Sequence, residues 1–458
     1  EIAAVTAVTI VVALTRIFAI ARGPWDWDEM LFLLGMRDYD VALHHPHPPG
    51  FPLFIAAARL FTVMGMEPFR ALQSVNLIAA VAIVPAMVFL CRELRLRVST
   101  ALTAAMLFAF FPNVWFFGGT AFSDVAAIVL AIVACALLLR GVRSPHAFIA
   151  GAIVLGIAAG FRPQNLLVGL VPAIYAAWSH IRQQRIAAVV TAAAVITGIV
   201  AASYGGAIVA TGEWGRYRDA LVAHQRYLSD VDSFLSATRP SLLQVSDDFF
   251  VRPFRFSPVN VALSFFALVA LTAGLIKRRF SVLMALALFG PFWVLAWLTL
   301  DFHSAGRFSI GYLPLLAILA ADGIDVVARH RPAVAAAIAG VLIGALLVWS
   351  WPGIARNRRE LSPPMRAIAF VNDHVGRDTT IYVQKRLRPY SEYYLEGFRL
   401  IQLEDEGPRP PAGENAVYLR EGKATSAGAA TFEWPRDPLW NIVRRRYFEA
   451  SVVPLPAK

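Results

Sequence analysis

Apolar residues run through this chain in long unbroken blocks, without the alternation of two or 3.6 residues that marks elements facing water on one side. Eleven blocks, at about 2–20, 71–90, 100–117, 122–139, 146–160, 164–178, 186–210, 259–276, 281–300, 308–327 and 333–351, predict membrane-spanning helices. Most approach the roughly 20 residues that cross a bilayer. The fifth and sixth are short and meet at Phe161-Arg162-Pro163. Proline removes a backbone donor there, so the two also read as one broken hairpin.

Residues 352–458 have a different pattern. They mix polar and apolar positions and predict a helix over Pro364–His374. Strands are predicted at Thr379–Gln384, Phe398–Leu403, Ala416–Arg420 and Phe448–Val453. The expected fold class is therefore a polytopic all-α transmembrane bundle over 1–351 with a small extracytoplasmic α/β domain over 352–458. No fixed-period repeat is visible, which weakens solenoid and inverted-repeat transporter readings.

Composition agrees with a membrane protein. Of 458 residues, 58% are hydrophobic and only 16% charged, and mean hydropathy is +0.58. The net charge of +11 would suggest nucleic acid in a soluble protein. Here no basic helix or RNA-binding signature occurs, and many of the basic residues lie in short loops, where they meet lipid headgroups. The loops 91–99, 140–145, 179–185, 277–279 and 328–331 hold 12 Lys and Arg in 29 positions, against 10 in 98 for the long loops 21–70 and 211–258. That asymmetry predicts a cytoplasmic N-terminus, with both long loops and the tail outside. Segment 2–20 lacks a small-residue cleavage site and is expected to be a retained span. Cys91 and Cys135 both lie in apolar runs, so no disulfide framework or zinc spacing is implied.

The candidate chemistry gathers in the first long loop. Asp26, Asp28 and Glu29 follow the first span, then Tyr39, Asp38, Asp40, His44, His45, His47 and Pro48-Pro49-Gly50, then an apolar segment over 51–66. That last segment is too short to span comfortably and is expected at the interface. A carboxylate partly desolvated at a membrane surface is a better general base. Acidic residues at this place also serve as ordinary helix caps. His44, His45 and His47 with Asp40 invite a divalent metal reading, chiefly on Asp40, His44 and His47, although donor phosphate or sugar binding suits His47 better. In the loop 211–258, aromatics including Trp214, Tyr217, Tyr227, Phe234, Phe249 and Phe250 fit an interfacial belt or sugar stacking.

Asp28-Glu29 directly after the first span, with His47-Pro48-Pro49 downstream, resembles the protein O-mannosyltransferase and aminoarabinose transferase group of the GT-C superfamily. The likeness extends to a Ser123-Asp124 step and to His303…Arg307-Phe308 ahead of Tyr312-Leu313-Pro314, where Phe308 stands in place of the group's Tyr and the gap is longer. The resemblance implies an inverting glycosyltransferase with Asp28 and Glu29 as the catalytic pair. Its donor would be a polyprenyl-phosphate sugar. The departing phosphate needs positive charge, for which Arg307, Arg162 and Arg16 are candidates, with His47 and His303 beside them. Asp40, Tyr39, His45 and Asp124 are expected acceptor or loop contacts.

A lipid donor also follows from what the sequence lacks. Neither GxxxxGK nor a strand-borne GxGxxG is present, so nothing here would cradle a nucleotide sugar. The acceptor class stays open among lipid, glycan and protein. The expected location is the bacterial inner membrane, with the site on the outer side. The rival readings are a transporter or flippase, or a polymerase or ligase, of lipid-linked glycans. A transporter would place its charges at mid-bilayer.

Overall fold

The computed structural model describes residues 1–237, 239–247, 249, 253–404, 415–442 and 447–455. Phe250, one of the aromatics named above, lies outside them. All eleven apolar blocks are helical. In chain order the first helices are α1 (Ile2–Ala19), α2 (Trp27–Arg37), α3 (Pro52–Val63), α4 (Pro68–Glu93), α5 (Val98–Phe110), α6 (Pro112–Phe117), α7 (Asp124–Gly141), α8 (Pro145–Phe161), α9 (Asn165–Arg182), α10 (Ile186–Thr211) and α11 (Trp214–Tyr227). They continue as α12 (Leu242–Ser246), α13 (Ser257–Ile276), α14 (Phe280–Thr299), α15 (Ala305–Phe308), α16 (Leu313–Val327) and α17 (Pro332–Arg359). Proline at the first or second position opens α3, α4, α6, α8, α13, α16 and α17. A helix start has no partner for that N–H, so proline costs nothing there and pre-sets φ.

Seven of the helices are long and apolar enough to cross a membrane, and the bent pair Phe302–Gly311 and Leu313–Val327 makes an eighth. Of the three other predicted spans, the sixth is the 18-residue α9, and two are cut short by identifiable breaks. The third block divides at Phe111-Pro112 into α5 and α6, and the fifth ends at Arg162, which is extended at φ −153°. The interfacial segment expected over 51–66 is the 12-residue α3.

The C-terminal part builds α18 (Pro363–His374), β1 (Thr380–Gln384), α19 (Arg388–Tyr394), β2 (Arg399–Leu403), β3 (Ala416–Glu421), β4 (Ala430–Glu433) and β5 (Glu449–Leu455). The sheet order is β2-β1-β3-β5-β4, with β1 parallel to both neighbours and β5 antiparallel to β3 and β4. The four expected strands are present. The fifth, β4, is a four-residue edge strand with alternate exposure, too short to signal by pattern.

Two close approaches fix how helices meet. A Cβ on Gly323 of α16 would overlap the carbonyl oxygen of Phe266 in α13, and one on Gly119 would overlap that of Ala19. Only the missing side chain lets these backbones touch. Gly323→Ala is expected to lower the thermal midpoint of the purified protein, by an overpacking cost of about 1–3 kcal/mol. Gly290→Ala, where the added methyl meets open space, should leave the midpoint nearly unchanged.

Candidate active site

Asp28 owes its position to the residues on either side. Asp26 caps α2, its carboxylate accepting from the Asp28 N–H at 3.0 Å. Glu29 reaches back to the N–H groups of Trp25 (2.9 Å) and Asp26 (3.3 Å), completing a capping box. The second Glu29 oxygen accepts from the Ala121 N–H at 2.9 Å, tying the start of α2 to the turn before α7. Glu29 is wholly buried. The resemblance pairs it with Asp28, and an acidic residue here also serves as a helix cap; its oxygens are both taken up by backbone donors, as the capping role requires. Burial pushes its carboxyl up to about 8, against the three N–H groups that favour the ionised form. Asp28 points the other way and keeps 24% of its side chain exposed.

The bend between the two halves of the broken helix, 63°, turns Arg307 of α15 towards Asp28. Its Nη1 donates to Asp28 Oδ2, and its Nε donates to Asp124 Oδ2 at 3.0 Å. Arg162, at the end of α8, donates through Nη2 to the same Asp124 oxygen at 2.9 Å and through Nε to Ser123 Oγ at 2.9 Å. Four charged groups from four separated stretches thus form one chain, Asp28–Arg307–Asp124–Arg162. Three of them are buried. Burial draws Arg162 down to about 10, with Asp124 offsetting part of the effect, so it remains charged at neutral pH. Aromatic faces close the site. The Arg307 guanidinium lies 4.2 Å from the Phe122 ring and that of Arg162 5.3 Å from Phe51. The void beside Asp124, Arg162, Asn165 and Phe308 measures about 10 Å³, room for no more than one water. A substrate has to reach the cluster from the open side of Asp28.

His47 borders that side, its Nδ1 4.0 Å from Asp28 Oδ1 and its ring against Phe51 and His224. Desolvation, with Arg307, Arg162 and His224 near, pushes the imidazole down to about 3 despite Asp28. His47 is therefore neutral at physiological pH and adds no positive charge. The His47–Gly50 turn is held from outside, by the Tyr39 hydroxyl on the Gly50 carbonyl and the Tyr217 hydroxyl on that of Pro49, each at 2.9 Å.

The other sequence candidates have separate places. Asp40 caps a short turn and pairs with Arg216 at 2.5 Å. His44 is exposed in the left-handed region, and His45 reaches Glu392 of α19 at 3.2 Å. Among the described residues no group of three or more His, Cys, Asp or Glu side chains could hold a metal, so Asp40, His44 and His47 do not converge as a ligand set. His303 sits exposed with its ring against Phe302. Arg16 departs from its expected role as a phosphate ligand. It is buried in α1 and donates to the Ala109 carbonyl of α5 at 2.5 Å, inside the helix packing.

Several supporting residues escaped the sequence reading. Asn113 Nδ2 donates to the Gly306 carbonyl (2.5 Å), the Pro253 carbonyl (3.1 Å) and Ser309 Oγ (2.9 Å), fixing the segment that carries Arg307. From the C-terminal part, Trp440 packs on Trp25, Ser362 Oγ donates to the Pro24 carbonyl at 2.7 Å, and the Ile442 backbone abuts Gly306. Both ends of the Asp28–Arg307 pair are therefore braced from one side.

This arrangement of helices, with its acidic loop after the first of them, has counterparts among solved structures. It is similar over its whole length to ArnT from Cupriavidus metallidurans. The structure of that protein bound to undecaprenyl phosphate covers 99% of this chain and 97% of its own, with a TM-score of 0.58 at 13% identity. Its apo structure covers 98% and 97%, with a TM-score of 0.57 at 12% identity. No family model matches the sequence, and no curated protein matches it either.

Two measurements test the cluster as built. Asp124→Asn leaves two buried guanidinium groups without their shared carboxylate, and should lower unfolding stability by about 3 kcal/mol or more. For Glu29 the sign follows from its raised value. Stability from the buried neutral carboxyl is fully present below pH 4.5, declines as pH rises to about 8 and is flat above. In melting curves across that window Glu29→Gln should lack the decline, and an unchanged slope would exclude Glu29 as its source.

Proposed function

We propose that the protein is an inverting glycosyltransferase. It moves a sugar from a polyprenyl-phosphate donor to an acceptor hydroxyl, working in the bacterial inner membrane with its site on the outer side. The observation that carries this reading is the Arg307 bridge between Asp28 and Asp124, with Arg162 alongside. One carboxylate on the open side faces two arginines held in place by another carboxylate. The fold likeness to ArnT, crystallised with undecaprenyl phosphate, supports the lipid donor. Residues 1–351 serve as the catalytic unit in this reading and residues 352–458 as its brace.

In the reaction, Asp28 takes the proton of the acceptor hydroxyl as its oxygen bonds to the anomeric carbon. The bond from that carbon to the phosphate oxygen breaks, and its electron pair leaves with the polyprenyl phosphate. Arg307 and Arg162 offer planar forks of donors to the leaving group. Attack from the opposite face inverts the anomeric carbon. Donor phosphate competes with Asp28 for Arg307, so binding it frees the carboxylate to act as base. His47, neutral beside Asp28, contributes a hydrogen bond to sugar or acceptor and no charge.

Asp28→Asn in folded, purified enzyme should reduce sugar release from a polyprenyl-phosphate sugar by about 10²–10⁴-fold, while Arg307→Lys chiefly weakens donor binding. Undiminished turnover in Asp28→Asn would overturn the assignment of the base. Because His47 stays neutral above pH 3, the rate–pH profile should show no limb near pH 6.5 that Tyr39→Phe and His224→Gln retain and His47→Gln removes.

A further inference from the structure

A second collection of charge lies at the same end of the bundle, outside the cluster described above. The C-terminal end of α1, the start of α4 and the end of α17 enclose a groove of about 730 Å³ lined by Arg22, Arg70, Arg358 and Arg359. Its other walls are mostly apolar, from Ile20, Ala21, Met66 and Leu77. Among the described residues none of these four guanidinium groups has a carboxylate ion-pair partner. Backbone carbonyls anchor three of them instead. Arg22 donates to Arg359 O at 2.6 Å, Arg70 to Ala21 O at 2.7 Å and Arg22 O at 3.0 Å, and Arg358 to Ile17 O. Arg70 also donates to Gln73 Oε1 at 2.7 Å. Each guanidinium carries five donors, so these bonds orient the arginines while leaving donors of Arg22, Arg358 and Arg359 unused. Four like charges gathered with no carboxylate paired to any of their guanidinium groups repel one another. That arrangement is costly unless an anion joins it.

We propose that this groove binds the phosphate headgroup of an anionic membrane phospholipid. The charge fits a phosphodiester, which arginine forks grip through two oxygens. The apolar half of the lining fits the glycerol and the first carbons of the chains. Below it, Leu14 and Ile17 of α1 and Ile78 of α4 are about half exposed, at 55%, 48% and 58%. They continue the apolar wall into the bilayer as a track for acyl chains. A free phosphate would have no use for that track.

The groove is also connected to the turn that carries Asp124. Arg70 and Gln73 hold the Ala21 carbonyl, Gln73 donates to Gly119 O at 2.6 Å, and the Ala21 N–H donates to the same carbonyl at 2.9 Å. A lipid bound here staples α1, α4 and α17 together where the 119–124 turn begins. This assignment is independent of the glycosyltransferase reading and stands or falls without any assay of turnover.

The test uses the full chain, purified and stripped of lipid, and titrated with phosphatidylglycerol or phosphatidylcholine while bound lipid is followed by native mass spectrometry. One phosphatidylglycerol should be retained in preference to phosphatidylcholine, with a rise in melting midpoint. Arg359→Gln, whose side chain makes none of the carbonyl bonds above, should weaken it about fivefold, and Arg22→Gln with Arg359→Gln about thirtyfold. Arg37→Gln, at the contact with Glu396 and Tyr393, should change nothing. Equal retention of the two lipids, or undiminished retention in both groove variants, would overturn the proposal. So would displacement of the lipid by an equal concentration of inorganic phosphate, which would assign the groove to the free anion.

Discussion

Arg307 is the group on which the rest of this structure depends. Its two donors join Asp28, from the first loop, to Asp124, from the start of α7, across gaps of 279 and 183 residues. A buried guanidinium tolerates no vacancy in its surroundings, because an unpaired charge in a low-dielectric interior is far more costly than an unmade contact at a surface. Its surroundings are accordingly specified in detail: Phe122 beneath the plane, Asn113 on the preceding carbonyl, Arg162 sharing its carboxylate. The 63° bend and the glycine at 306, pressed against Ile442, read as the means of bringing that one side chain inward.

Much of the architecture was legible because a bilayer leaves few options. Unbroken apolar runs have to be helices, since no other element satisfies its own backbone in hydrocarbon. The sequence placed all eleven, together with the break at Phe161-Arg162-Pro163. What it did not show was how individual blocks are broken. A run of apolar residues does not reveal where a proline such as Pro112 divides it, nor that residues 302–327 fold as a bent pair.

The site was legible in its members more than in its wiring. Asp28, Asp124, Arg307 and His47 could be picked out by loop position and resemblance, and Arg162 by its place in the broken hairpin and the positive charge a departing phosphate needs. That Asp124 would be the shared partner of two arginines is a fact of tertiary geometry, and no spacing encodes it. Glu29 and Arg16 show the converse. A carboxylate next to the key aspartate and an arginine near a helix end look functional in one dimension. In three, the first caps a helix and the second bonds α5. The bracing by Ser362, Trp440 and Ile442 carried no sequence signal, because Trp and Ile at a soluble–membrane junction have many ordinary uses.

The capping box around Asp28 has a consequence for the timing of order. In the reaction proposed above, a base carried on a free loop would have to be immobilised in every catalytic cycle, and the lost freedom would raise the barrier each time. Here the backbone of residues 25–29 is fastened by hydrogen bonds to Asp26 and Glu29 and through Glu29 to Ala121. The entropy of placing that carboxylate is lost once, when the chain folds. With both ends of the ion pair braced, the exchange of hydrogen-bond partners at Arg307 is the change left for a substrate of the proposed reaction to drive.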